Sequence, residues 1–200
     1  MATATAGRRG RPATATRTDV LRAVTEQYVQ GRRVDVTVVS RRLGLSRATI
    51  HRWFGSRERL LGEVIARQLE SLIERKRRTV AIRGAAGLLE VFDQINCALA
   101  ESLALRRFFE QEPGSALRLL TASTGVVQPR AVAAVHGLIA DEVSAGTYHP
   151  PVDPATLAYA IVRLAEAFLY RDAAVGLSGD HERLRDVEAA LLGVPAVAGP

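Results

Sequence analysis

Apolar residues recur every three or four positions over most of this 200-residue chain, and such spacing is typical of packed helices. The clearest case follows Ser56, where one helix face would carry Leu60, Leu61, Val64, Ile65, Leu69, Leu72 and Ile73. Only the segment from Val34 to Val39 alternates like a strand, and it lies between helical segments. We therefore predict an all-α fold.

Further helices are expected from Ala85 to about Glu101 and from about Gln128 to Ser144. Between them, Pro113 and Gly114 are expected to break the chain, and a short helix would follow to about Leu120. Asp153 followed by Pro154 is typical of an N-cap and first helical position, because a proline there leaves no N–H unpaired.

Asp180 is predicted to cap a last helix, whose inner face would carry Leu184, Val187, Leu191 and Val194. The helix that begins at Pro154 is also apolar over a wide surface. Two such helices in sequence favour a helix-bundle interface between two copies of the chain, although a purely internal core would account for them as well.

Positive charge is concentrated at the N-terminus. Residues 1–60 hold 13 arginines and four acidic residues, whereas the other 140 residues hold 14 basic and 17 acidic ones. A basic first third on a slightly acidic body indicates a domain that binds a polyanion, with nucleic acid as the leading partner class.

Other features exclude several classes of protein. No apolar run approaches the roughly 20 residues of a membrane span, and the N-terminus has no apolar segment typical of a secretory signal. The single cysteine, Cys97, fits a reducing compartment, so a cytoplasmic protein is predicted.

The first third contains signals for three short helices. Thr18 and Asp19 would open the first helix, and Asp35 would cap the second. Gly44 allows a sharp turn, and Ser46 then caps a third helix that reaches about Phe54. Two helices joined by so short a turn predict a helix-turn-helix, whose last helix enters the DNA major groove.

The third helix has an apolar face, on which Ile50 and Phe54 lie four positions apart, and a polar face. On the polar face, Arg47 can form a bidentate contact with guanine, Thr49 offers a hydroxyl and a methyl group, and Ala48 permits close approach. Their types and spacing predict base contacts.

Neighbouring positions are expected to contact phosphate or base edges. They are His51, Arg52, Trp53 and, at the start of the next helix, Arg57. Trp53 could equally belong to the domain core. A metal role for His51 is not expected, because no cysteine or second histidine lies at ligand spacing.

Residues 35–60 resemble the DNA-binding signature of TetR-family repressors. The positions that agree with the signature are Gly44, Ser46, Thr49, Phe54, Ser56, Glu58 and Leu60. The chain departs from it at Ser40, Ala48, His51 and Trp53, the last two standing where the family has tyrosines that touch the DNA backbone.

The resemblance implies a helix-turn-helix domain over residues 17–62 and a ligand-binding and dimerisation domain over 63–200. It further implies a homodimer that binds a palindromic operator in double-stranded DNA and is released by a small, largely apolar effector. The full set of expected DNA contacts is Thr37, Ser46, Arg47, Ala48, Thr49, His51, Arg52, Trp53, Arg57, Arg9 and Arg11.

The effector site has no motif, so its candidates are polar and aromatic residues on otherwise apolar helix faces. They are Phe92, Asn96, Phe109, Tyr159, Arg163 and Glu166. Each could instead belong to the core, and Arg163 could simply pair with Glu166. Within the family, the chain is similar to repressors of quorum-signal lactone degradation, which implies a lactone or fatty-acyl effector.

Residues 1–16 are predicted to form a basic disordered arm. Its Arg9-Gly-Arg11-Pro sequence resembles the core of an AT-hook, in which arginines enter a narrow minor groove. A solubilising tail would have the same composition.

Two rival functions remain. An enzyme is not expected, because the common catalytic and phosphate-binding motifs are missing, and no cofactor is predicted. An architectural DNA-binding protein without an effector would use the basic region but would have no need of the long acidic body.

Overall fold

The computed structural model describes residues 15–171 and 181–195, and within those ranges all regular structure is helical. The helices are α1 (Arg17–Val29), α2 (Val36–Leu43), α3 (Arg47–Phe54), α4 (Arg57–Thr79), α5 (Gly84–Ala100), α6 (Leu103–Gln111), α7 (Pro113–Thr121), α8 (Val127–Ser144), α9 (Pro154–Ala165) and α10 (His181–Leu192). A π-helical segment, Glu166–Arg171, continues α9. The predicted all-α fold is confirmed.

Local hydrogen bonds set most of these boundaries. Ser46 and Asp153 cap α3 and α9 as predicted. Gly44 ends α2 with a φ of 64°, a left-handed conformation that glycine adopts without steric cost. The cap of α1 is Thr16, which forms a reciprocal capping box with Asp19, so this helix begins slightly before the expected Thr18.

The helices enclose two apolar cores. The first joins α1–α3 and the start of α4 to α6 and α7, and the second lies among α5, α8, α9, α10 and the end of α4. Because α4 contributes to both, the expected boundary between residues 62 and 63 falls inside one continuous helix. The division into two functional domains stays a prediction.

The register of α10 differs from the predicted one. Its buried residues are Leu184, Glu188 and Leu192, whereas Val187 is 38% exposed. Sequence spacing favoured valine over glutamate as the inner residue, but Asn96 on α5 donates a hydrogen bond to Glu188 and so compensates for its burial. The expected cap, Asp180, lies outside the described residues.

None of the described helices combines the length and the apolar composition needed to cross a bilayer.

Candidate DNA-binding surface and effector cavity

The recognition helix α3 is fixed to the protein by its inner face. Ile50 and Phe54 are 2% and 8% exposed in the first core, and the guanidinium carbon of Arg17 lies 4.8 Å from the centre of the Phe54 ring. At the N-terminus of the helix, the backbone N–H of Thr49 donates to Ser46 Oγ at 3.0 Å. These contacts leave the opposite face of α3 available to a partner.

That outer face carries the predicted readers. Arg47, Ala48, His51 and Arg52 are exposed, and Thr49 is partly exposed, with its hydroxyl 2.9 Å from that of Ser46. Among the described residues, no carboxylate forms a salt bridge with Arg47 or Arg52, so neither cation is neutralised within the protein. An exposed helix with two unpaired guanidinium groups is suited to a polyanion such as DNA.

Two further predicted contacts lie beside α3. Thr37 is half-buried at the start of α2, where its backbone N–H donates to Asp35 Oδ1 at 2.7 Å. Trp53 is half-buried against the first core. The structure therefore places Trp53 at the core without burying it fully, and both of its predicted roles remain compatible with this position.

Arg57 has a different environment from the one expected. Its guanidinium donates to both carboxylate oxygens of Glu112, and its Nε donates to the carbonyl of Val34 at 2.9 Å. Glu112 also accepts from Arg33 Nε at 3.2 Å. A phosphate contact by Arg57 would require this pairing to open, because the cation is already neutralised by Glu112.

These contacts form what we call the Glu112 junction, made of Arg33, Val34, Arg57 and Glu112. It links the loop between α1 and α2 to the turn between α6 and α7. Its arginines, Arg57 first, hold the pKa of the Glu112 carboxyl below its ordinary value. The carboxylate is therefore charged and paired at neutral pH.

A cavity of about 60 Å³ lies in the body between α4, α5, α7, α8, α9, the π-helical segment and α10. Its wall is mostly aliphatic and aromatic. The polar side chains in the wall are Asn96, Glu166, Tyr170 and Glu188. An open cleft of about 370 Å³ shares Leu69, Leu99, Leu120, Val127 and Tyr170 with this cavity and reaches Tyr28 and Val29 at the end of α1.

The two carboxyl groups of the cavity are buried. Glu188 is fully buried, and Asn96 Nδ2 donates to both of its oxygens at 3.1 Å. Glu166 is 6% exposed and accepts from Arg163 Nη1 at 2.7 Å. Burial raises the pKa of each carboxyl group to about 7. The hydrogen bond from Asn96 lowers the pKa of Glu188, and the charge of Arg163 lowers that of Glu166, but both effects are smaller than that of burial.

Comparison with protein families gives a match over residues 83–193, more than half of the chain, to the family described as "Tetracyclin repressor-like, C-terminal domain". The chain belongs to the TetR family. It is accordingly a transcriptional regulator, and its membership of a non-enzymatic family confirms that it is not an enzyme. The family predicted from residues 35–60 is therefore confirmed.

Solved TetR-family structures share the fold. The transcriptional repressor QsdR of R. erythropolis is 26% identical, with a TM-score of 0.85 over 92% of this chain and 97% of that one. The repressor AlkX of Dietzia sp. is 20% identical, with a TM-score of 0.57 over 93% and 100% of the two chains. FadR of Bacillus subtilis, solved with stearoyl-CoA, is 15% identical, with a TM-score of 0.55 over 88% and 97%. No curated protein sequence matches the chain.

In this TetR-family regulator, three of the predicted effector residues line the cavity: Phe92, Asn96 and Glu166. Arg163 is outside the wall and pairs with Glu166, which is the alternative considered for it. Tyr159 is 50% exposed, because it lies on the side of α9 opposite Ala158 and Ile161, which are buried. It is not part of the cavity.

Phe109 is also outside the cavity. It is 4% exposed in the first core, with its ring centre 6.0 Å from that of Tyr170. The prediction missed Glu188, although a carboxylate placed four residues from both Leu184 and Leu192 on an apolar stripe was a signal of burial.

The raised pKa values predict how stability depends on pH. Between the ordinary glutamate pKa of 4.5 and about 7, Glu166 and Glu188 hold more protons in the folded protein than in the unfolded chain, so their contribution to the free energy of unfolding should fall as pH rises through this window. Urea titrations at several pH values should show a shallower fall for Glu188→Gln. The exposed Glu182 lies on the same helix, and Glu182→Gln should leave the slope of the wild type unchanged.

Proposed function

We propose that this regulator is a homodimeric repressor of the cytoplasm, which binds a palindromic operator and dissociates when a small, largely apolar effector enters the body. The observation that carries the proposal is the arrangement of α3. Its inner face is anchored by Ile50 and Phe54, while the side chains of Arg47 and Arg52 are exposed and have no acidic partner within residues 15–171 and 181–195.

The cavity and the adjoining cleft support control by an effector. Because the cleft runs from the cavity wall at Leu69 and Tyr170 to Tyr28 and Val29, a molecule that fills both would contact α1 of the DNA-binding domain. An effector causes release only if it binds more tightly to the conformation that does not fit DNA. Contact with α1 would allow its affinity to differ between the two conformations. A lactone or fatty-acyl effector remains a prediction.

Dimerisation is supported by the surface of α9, where Tyr159 is half exposed. Two recognition helices related by a twofold axis would then meet half-sites one helical turn apart, or a multiple of it. The arm residues Arg9 and Arg11 lie outside the described residues, and their minor-groove role stays a prediction. Sedimentation that showed only a 21.6 kDa monomer at micromolar concentration would contradict the two-half-site arrangement.

The proposal is tested with Arg47→Ala. The operator is first selected from fragmented genomic DNA with the purified protein, and its affinity is then compared with that of random DNA of equal length. Loss of a guanine contact should cost about 1–3 kcal/mol per half-site at the operator and little on random DNA.

The matched control is Arg118→Ala, which removes an exposed arginine from α7 and should leave operator preference intact. Equal loss on operator and random DNA after Arg47→Ala would contradict sequence reading by α3. Together with broad occupancy and no palindrome, that result would favour the architectural alternative.

A further inference from the structure

The cavity has acidic groups and no basic one. Its ionisable wall residues are Glu166, Glu188 and Tyr170, and neither arginine, lysine nor histidine contributes to the described wall. Of the neighbouring cations, Arg163 pairs with Glu166 at 2.7 Å, and among the described residues no cation forms a salt bridge with Glu188. Arg163 has a 44% exposed side chain and also donates to the Thr121 carbonyl, while Arg185 pairs with Asp93 at 2.7 Å.

The buried carboxyl groups have acceptor capacity to spare. A carboxylate accommodates about four hydrogen bonds. Among the described residues, the two oxygens of Glu188 share the single amide group of Asn96, and Glu166 receives a donor only at Oε2. A molecule that brings donors into the cavity can therefore add hydrogen bonds to these carboxyl groups.

We propose that the effector is a lipophilic amine, whose protonated nitrogen binds Glu188 and Glu166 and whose hydrocarbon part extends past the aliphatic wall into the adjoining cleft of about 370 Å³. This inference rests on the proposed function, since it names the chemical class that the effector cavity accepts. An ammonium group supplies three donors and a positive charge, which matches two carboxyl groups in an apolar setting. A carboxylate or phosphate head would instead add a further negative charge where solvent screening is weak.

The test compares the binding affinities of three eight-carbon compounds, n-octylamine, n-octanol and n-octanoate. They share the same chain length and differ in the charge of the head group. Each is titrated into the full-length protein without DNA at submicellar concentration, with calorimetry as the readout. We expect octylamine to bind about tenfold more tightly than octanol, and octanoate to bind most weakly. Octanoate binding as tight as octylamine binding, or no octylamine binding at millimolar concentration, would overturn the proposal.

The variant Glu188→Gln keeps the size of the side chain and removes its charge. It should weaken octylamine binding about tenfold and leave octanol binding unchanged, which also shows that the cavity is still formed. Glu182→Gln, on the exposed side of the same helix, should bind all three compounds like the wild type. Unaltered octylamine affinity in Glu188→Gln would refute the assignment.

Operator binding is measured separately on the same preparations. If the protein binds its operator selectively but prefers octanoate, the repressor function is supported and the amine effector is refuted. If the protein prefers octylamine but does not distinguish its operator from random DNA, amine binding is supported and the repressor function is refuted.

Discussion

Replacement of Ile50 by alanine is expected to lower the free energy of unfolding by about 2–5 kcal/mol and to abolish operator binding at working concentrations. Ile50 is 2% exposed and anchors the recognition helix in the first core, so its truncation leaves a cavity under α3. The side chains predicted to contact DNA are unchanged in this variant. Loss of binding would therefore come from a helix that is no longer held in place.

Urea unfolding at fixed protein concentration measures this effect, with fluorescence of Trp53 as the signal. Trp53 is the single tryptophan of the chain and lies on α3 against the same core. The control is Val38→Ala on α2, where the side chain is 46% exposed and the expected change is within about 0.5 kcal/mol. Equal shifts in the two variants would show that α3 is not anchored through Ile50.

The second large effect is expected at the Glu112 junction. Glu112→Gln should destabilise the protein by about 1.5–3 kcal/mol, since charge-assisted hydrogen bonds to Arg57 and Arg33 are lost. The side chain of Glu112 is 11% exposed and that of Arg57 is 24% exposed, so water replaces these bonds poorly. Urea unfolding at pH 7 gives the magnitude.

The pH dependence of this effect has a definite sign. Because the folded state lowers the pKa of Glu112, its contribution is present above the ordinary glutamate pKa and is lost as pH falls through the lowered value. The difference between wild type and Glu112→Gln should therefore shrink on acidification. Glu110→Gln, which breaks an exposed pair with Arg107 on the same helix, should cost less than about 1 kcal/mol at any pH. A Glu112→Gln effect that stays constant with pH would contradict the ionic junction.

Features set by neighbouring residues were predictable from the sequence. The caps at Ser46 and Asp153, the turn at Gly44 and the inward spacing of Ile50 and Phe54 all depend on contacts within a few positions. The same locality applies to the candidate DNA-binding surface, because the predicted base contacts Arg47, Ala48 and Thr49 lie on one short helix.

The cavity in the body depends on contacts that sequence spacing does not reveal. Asn96 and Glu188 are 92 positions apart, and only their hydrogen bond makes a buried glutamate acceptable on α10. Likewise, Arg57 forms an ion pair with Glu112 across 55 positions, and its phosphate contact stays a prediction that would require this pair to open. From the sequence pattern, Val187 was predicted to face the interior, and Tyr159 was predicted to line the cavity because it is a polar residue on an otherwise apolar helix.

The continuity of α4 has a mechanical consequence. At 23 residues the helix is about 34 Å long, with Leu60 beside the recognition helix and Ile73 in the cavity wall. A rod of that length turned by about 5° at one end moves its other end by about 3 Å, more than a hydrogen bond to a base tolerates. A rearrangement small enough to leave both cores packed would therefore displace the far end of α4 by enough to break the predicted contact between Arg47 and a guanine.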